Sequence, residues 1–141
     1  MLDQASAQRV EVAKAAPHTL VVVAEDDADM RDLIVHHLRR HGFDVEEAVD
    51  GDELSAVLQR LASNDSRPTV VLSDVHMPGR DGLQLLRESR SLLPHVPVLM
   101  MSASSNSGTR AAASELGAVA MLDKPLDLTA LERLIHQLAS A

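Results

Sequence analysis

From Leu20 onward, short apolar runs alternate with amphipathic segments along the chain. Leu20–Ala24 is a β-branched run suited to a strand buried on both faces. Met30, Leu33, Ile34, His37 and Leu38 follow at spacings of three and four, the period of an amphipathic helix, and His41-Gly42 closes it. Phe43–Val49 alternates as a second strand, Asp50-Gly51-Asp52 is turn and cap chemistry, and Leu54, Val57, Leu58 and Leu61 mark a second helix. After a polar loop over Ser63–Pro68 come a strand at Thr69–Ser73 ending at Asp74, turns at Pro78-Gly79 and Asp81-Gly82, and a helix at Leu83–Leu93 stopped by Pro94. The pattern then repeats twice. Val96–Met101 predicts a strand, Ser102–Thr109 a loop and Arg110–Leu116 an Ala-rich helix closed by Gly117. Ala118–Leu122 predicts the fifth strand, and Leu128, Leu131, Leu134, Ile135 and Leu138 the last helix. Five repeats of strand then helix imply an α/β fold, a parallel sheet with helices on both faces. At 141 residues this is one domain. Residues Met1–Pro17, rich in Ala and Gln, read as a tail or linker, leaving 18–141 for the fold.

Composition removes several function classes. With no Trp, no Tyr and one Phe, Phe43, the core must be built from Leu, Val, Ile, Ala and Met, and base-stacking nucleic-acid binding is excluded. A formal net charge of −8 argues against direct contact with phosphate backbones. There is no Cys for disulfides or thiolate metal sites. No apolar run approaches the roughly 20 residues that span a bilayer, and the N-terminal stretch lacks an apolar signal core. The expectation is a cytoplasmic protein without membrane partners.

In parallel sheets flanked by helices, ligands sit beyond the carboxyl ends of the strands. Those ends carry Glu25-Asp26-Asp27, Asp74, Ser102 and Lys124-Pro125. Each alone has a structural explanation: Asp26, Asp27 or Asp29 as a helix cap, Asp74 as a turn residue. Their joint placement is harder to explain that way. Carboxylates within roughly 5 Å repel by about 3 kcal/mol per pair at an effective dielectric near 20. An all-oxygen set of this kind suits Mg²⁺, and an added ammonium and hydroxyl suit a phosphoryl group on one carboxylate.

The runs Val23-Ala24-Glu25-Asp26-Asp27, Ser73–Gly82 with Met77-Pro78 and Asp81-Gly82, Met101-Ser102-Ala103 and Asp123-Lys124-Pro125-Leu126 resemble the receiver domain of two-component response regulators. The resemblance covers about residues 19–139. It implies a flavodoxin-like five-stranded parallel sheet of order 2-1-3-4-5. It also implies that Asp74 is the phosphoacceptor, receiving its phosphoryl group from a sensor histidine kinase or a phosphotransfer protein. By the same resemblance Asp27 and Asp74 ligate Mg²⁺ directly, Asp26 mostly through water, and the His76 backbone carbonyl is a further ligand. Ser102 would bond a phosphoryl oxygen, and Lys124 would pair with the phosphate beside a cis bond to Pro125. The output would be a re-formed face of the fourth helix, fifth strand and fifth helix, read by a downstream target or fused output domain, or used for homodimerisation. No catalysis is implied beyond the domain's own phosphorylation and dephosphorylation.

One departure stands out. The family's usual switch aromatic in strand five is Met121 here, flexible and without a ring or hydroxyl. His76 and Ser104 lie where the family tunes dephosphorylation, and His76 reads as a solvent-facing residue. His37 and His41 have the i, i+4 spacing of a metal pair, but no third ligand is evident, so they read as structural or surface residues. With the last helix running to Ala139-Ser140-Ala141, the expectation is a single-domain regulator or a receiver cut from a larger protein. Two other functions remain. Asp27-x-Asp29 superficially matches the nucleophile pattern of haloacid-dehalogenase-like phosphatases, although the chain is short, lacks a cap domain and leaves Asp74–Gly82 without a place. A phosphorylation-independent dimerisation module would keep the fold but has no use for the acidic, Ser and Lys positions.

Overall fold

The computed structural model describes residues 19–140 except Ser105, so the tail expected at 1–17 lies outside the described residues. In chain order the elements are β1 (Leu20–Ala24), α1 (Ala28–Arg40), β2 (Asp44–Ala48), α2 (Gly51–Ser63), β3 (Val70–Asp74), α3 (Gly82–Leu92), β4 (Val98–Ser102), α4 (Ser107–Glu115), β5 (Ala120–Asp123) and α5 (Leu128–Ser140). All strand pairs are parallel, and the sheet order is β2-β1-β3-β4-β5, as the resemblance implied.

The period of two in the strands divides the core. Val22, Ala24, Val71, Val98 and Met100 face one side, with Leu54, Leu58 and Leu61 of α2, Leu85 and Leu86 of α3 and Ala113 of α4. Val21, Val23, Val70, Leu72, Leu99 and Met101 face the other, against Ile34, Val35 and Leu38 of α1 and Leu131 and Ile135 of α5. Phe43 is buried on this second side, its ring centroid 4.7 Å from that of His136.

Asx residues start all five helices. Side-chain oxygens of Asp27, Asp50, Asp81, Asn106 and Asp127 accept from the backbone N–H of Met30, Glu53, Leu83, Thr109 and Ala130. The Asn106 cap explains why α4 begins at Ser107, three residues before the predicted Arg110. β4 and β5 begin two residues later than the apolar pattern suggests. The N–H of Val96 is taken by Leu93 O at 3.0 Å and that of Ala118 by Ala113 O at 2.9 Å, both turn bonds rather than ladder bonds. Gly117, at φ +100°, supplies the left-handed step that closes α4.

One glycine sets the path away from the sheet edge. Gly82 opens α3, and its N–H donates to Val75 O at 3.0 Å. A β-carbon there would run into the Val75 carbonyl oxygen and Cα and the Asp74 carbonyl, all backbone. Gly82→Ala should therefore lower stability by about 1–3 kcal/mol. Urea titration should show a lower midpoint at an unchanged slope.

Candidate functional site

The sheet's carboxyl edge gathers side chains from four strand ends. Glu25 directly follows β1 and is fully buried. Its N–H donates to Ala48 O at 3.1 Å, and its carbonyl accepts from Arg31 Nη1 at 2.8 Å. Asp26, next along, is exposed. Asp74 ends β3 at 4% exposure, and its Oδ1 accepts from the His76 N–H at 2.9 Å. Lys124 directly follows β5. Its N–H donates to Ser102 O at 2.9 Å, which anchors it to the end of β4, and its peptide bond to Pro125 is cis. The Lys124 ammonium pairs with Asp74 Oδ2 and stands 2.6 Å from Glu25 Oε1. Ser102 is buried, with its Oγ accepting from Ser104 N–H at 3.1 Å.

Carboxylate oxygens of Glu25, Asp26 and Asp74 lie within 4.8 Å of one another. The expected set named Asp26, Asp27 and Asp74, whereas the residues grouped here are Glu25, Asp26 and Asp74. Asp27 Oδ1 accepts from Met30 N–H at 2.9 Å as the cap of α1, and Asp27 reaches the site through its backbone N–H, which donates to Glu25 Oε2 at 3.0 Å. Glu25, outside the expected set, is the buried carboxylate at this edge beside Asp74. Counting back three from Met30, the position where a cap's N–H partner falls, assigns Asp27 to the helix and leaves Glu25 and Asp26 for the edge. His76 contributes its backbone here, and its side chain is exposed. Met121 is half-buried opposite Met100 in the ladder and packs with the α2–α4 side of the core.

The electrostatics favour a cation. Burial raises the Glu25 carboxyl above its ordinary value, and neighbouring Asp74 adds to this, against the lowering effects of Lys124 and the Asp27 N–H. Burial pulls the Lys124 ammonium down, but pairing with Asp74 and Glu25 outweighs it and leaves the pKa raised. Three ionised carboxylates and one ammonium carry two negative charges net, and buried Glu25 Oε1 lacks an aligned hydrogen-bond donor. An all-oxygen, doubly negative cluster fits a divalent hard cation such as Mg²⁺.

Known proteins share this fold. The sequence profile of the response regulator receiver domain matches residues 21–136. The chain belongs to the response regulator receiver family. This receiver domain is 35% identical over 121 residues to the DNA-binding transcriptional regulator NtrC of Escherichia coli strain K12, covering 86% of this chain and 25% of that protein. It is 35% identical over 111 residues to the transcriptional regulatory protein PrrA of Mycobacterium tuberculosis, covering 79% of this chain and 46% of that protein. The chain thus spans about a quarter to a half of these curated relatives. The receiver domain of NtrX from Brucella abortus superposes with a TM-score of 0.74 at 30% identity, over 86% of this chain and 98% of that one. A CheY-like receiver from Methanospirillum hungatei JF-1 gives 0.78 at 22% identity, over 88% and 96%, a likeness of fold. No helix among the described residues is long and apolar enough to cross a membrane.

The cap and ligand assignments separate experimentally. Asp26→Asn should weaken Mg²⁺ binding to the receiver domain at least tenfold in a calorimetric titration. Asp27→Asn keeps a good cap and should stay within about threefold of wild type. Lys124 gives a pH test. A raised folded pKa stabilises fully below the ordinary value near 10.5, and that contribution is lost as pH rises through the folded value above it. The sequence has no Tyr or Cys and one other Lys, Lys14, so little else titrates there. Urea midpoints of metal-free protein should fall above pH 10.5, and Lys124→Met should show a markedly smaller fall.

Proposed function

We propose that this receiver domain is a phosphorylation switch whose phosphoacceptor is Asp74. An Asp74 carboxylate oxygen attacks the phosphorus of a phosphohistidine on a sensor histidine kinase or phosphotransfer protein. The P–N bond breaks with its electron pair returning to the imidazole, and an acyl phosphate forms. The observation that carries this reading is the Lys124 ammonium against Asp74 Oδ2 at a buried, otherwise acidic sheet edge. Phosphoryl transfer needs positioning and charge neutralisation more than covalent help. The His76 N–H holds Asp74 Oδ1 and so sets the carboxylate plane. Glu25, Asp26 and Asp74, with the His76 carbonyl as a further donor, would hold Mg²⁺, which when bound supplies neutralisation of the phosphoryl oxygens. The domain then catalyses only its own phosphorylation and dephosphorylation.

The output follows from Ser102 and Lys124. The Ser102 hydroxyl accepts from Ser104 N–H, which leaves its own proton to donate to a phosphoryl oxygen. Lys124 pairs with the phosphoryl group and loosens its hold on Glu25. Both residues lead into the face formed by α4, β5 and α5. Arg110 of α4 bonds Asp123 of β5 at 2.5 Å on that face, and Met121 occupies the place of the family's aromatic. A downstream protein, a fused output domain or a second copy would read the rearranged face in the cytoplasm, where the kinase supplies phosphoryl groups. The test is incubation with acetyl phosphate and Mg²⁺ followed by intact mass. Wild type should gain one phosphoryl group and Asp74→Asn none. An adduct that persists in Asp74→Asn would overturn the assignment.

A further inference from the structure

On the α1–α5 side of the sheet, imidazoles in and just after the last turn of α1 converge on one carboxylate. We propose that His37, His41 and Glu132 form a second metal site, for a borderline transition-metal ion such as Zn²⁺, which clasps α1 to α5. His37 and His41 lie one turn apart, with ring centroids 4.3 Å apart and planes inclined by 27°. Glu132 of α5 directs Oε1 between them, 3.1 Å from His37 Nε2 and 3.6 Å from His41 Nε2. All three donor atoms lie within 4.8 Å of one another. Zn–N and Zn–O bonds of about 2.0–2.1 Å place neighbouring donors of a tetrahedron about 3.4 Å apart. The two measured separations bracket that value.

A second observation concerns the proton on His41. Its Nδ1 lies 2.8 Å from the His37 carbonyl oxygen. A carbonyl can only accept, so Nδ1 carries the hydrogen. In the neutral ring the Nε2 lone pair therefore faces Glu132. Metal-binding imidazoles are held by this same device, the far nitrogen donating to a backbone carbonyl. At 3.6 Å the His41–Glu132 separation is too long for a hydrogen bond, whereas an ion between the two atoms would satisfy both. His37 and Glu132 are about one-fifth exposed and His41 about two-fifths, so an ion enters without unfolding. Water would complete the coordination. His136, whose Nε2 is 3.6 Å from Glu132 Oε2, flanks the carboxylate's other oxygen. Imidazole donors favour Zn²⁺, Cu²⁺ or Ni²⁺ over Mg²⁺, so this site and the oxygen-only edge would sort ions by chemistry.

The test titrates Zn²⁺ into untagged full-length protein with saturating Mg²⁺ present, by calorimetry, with Co²⁺ absorption as a spectroscopic probe. One equivalent should bind, and Tm should rise by about 5–10 °C at a hundredfold excess over Kd. His37→Ala/His41→Ala and the near-isosteric Glu132→Gln should each lower Zn²⁺ affinity at least tenfold. Asp74→Asn should keep it. Absence of stoichiometric binding would overturn the site, as would affinity unchanged in Glu132→Gln. Loss of binding in Asp74→Asn would place the ion at the acidic edge instead and overturn it too. None of these outcomes depends on whether Asp74 is phosphorylated.

Discussion

The Lys124 ammonium lodged between Glu25 and Asp74 is the contact on which the carboxyl edge of the sheet depends. A parallel sheet ends all its strands in one direction, so side chains that follow the strands are forced together. Here that crowds three carboxylates into 4.8 Å, two of them buried. Each ionised pair repels by about 3 kcal/mol at an effective dielectric near 20. One ammonium touching two of the three offsets much of this, and the N–H groups of Asp27 and His76 add a hydrogen bond to each buried carboxylate. Removing the ammonium would leave buried charges uncompensated, a loss of about 3–5 kcal/mol in comparable ion pairs. The backbone is arranged to keep it in place, since Lys124 N–H is bonded to Ser102 O at the end of β4.

The same contact makes the edge responsive. Lys124 neutralises one charge of three, and burial together with Asp74 keeps the Glu25 carboxyl above its ordinary pKa. A divalent cation would relieve that cost directly. It would also release the ammonium from its task of holding two carboxylates and let it follow new negative charge. In the proposed switch these are consecutive uses of one lysine. The hydroxyl of Ser102 and the backbone carbonyl beneath Lys124 belong to the same residue, so a shift at either end of this pair is felt at the other.

Most of the fold is legible in the sequence because it rests on local periods. The doubly buried strands read as continuous apolar runs, and the helices read as stripes three and four residues apart. The boundaries that moved did so for hydrogen-bonding reasons that hydropathy does not record, the Asn106 cap and the turn bonds of Val96 and Ala118. At the edge, Asp74, Lys124 and Ser102 are legible from their places after strands. Glu25 is not, because three consecutive acids offer three ways to divide cap from ligand, and the decision rests on where the first turn of α1 begins. The imidazole cluster was half visible. His37 and His41 share a helix face, but Glu132 lies 95 residues away and reaches them only because α1 and α5 cover the same side of the sheet.

That arrangement limits what a metal clasp can do to the switch. α1 follows Asp26 and its cap, and α5 follows Lys124-Pro125, so both helices start near the acidic edge. The clasp joins the far end of α1 to the first half of α5. A ligand shifts a conformational equilibrium only by its preference between the two states. If α5 keeps its position against α1 during switching, Zn²⁺ stabilises both states equally and leaves phosphoryl occupancy unchanged. Coupling arises only if α5 slides, because a change of about 1 Å at Glu132 would carry Oε1 out of the narrow range that tetrahedral bonds allow. The clasp would then favour whichever state keeps Glu132 between His37 and His41.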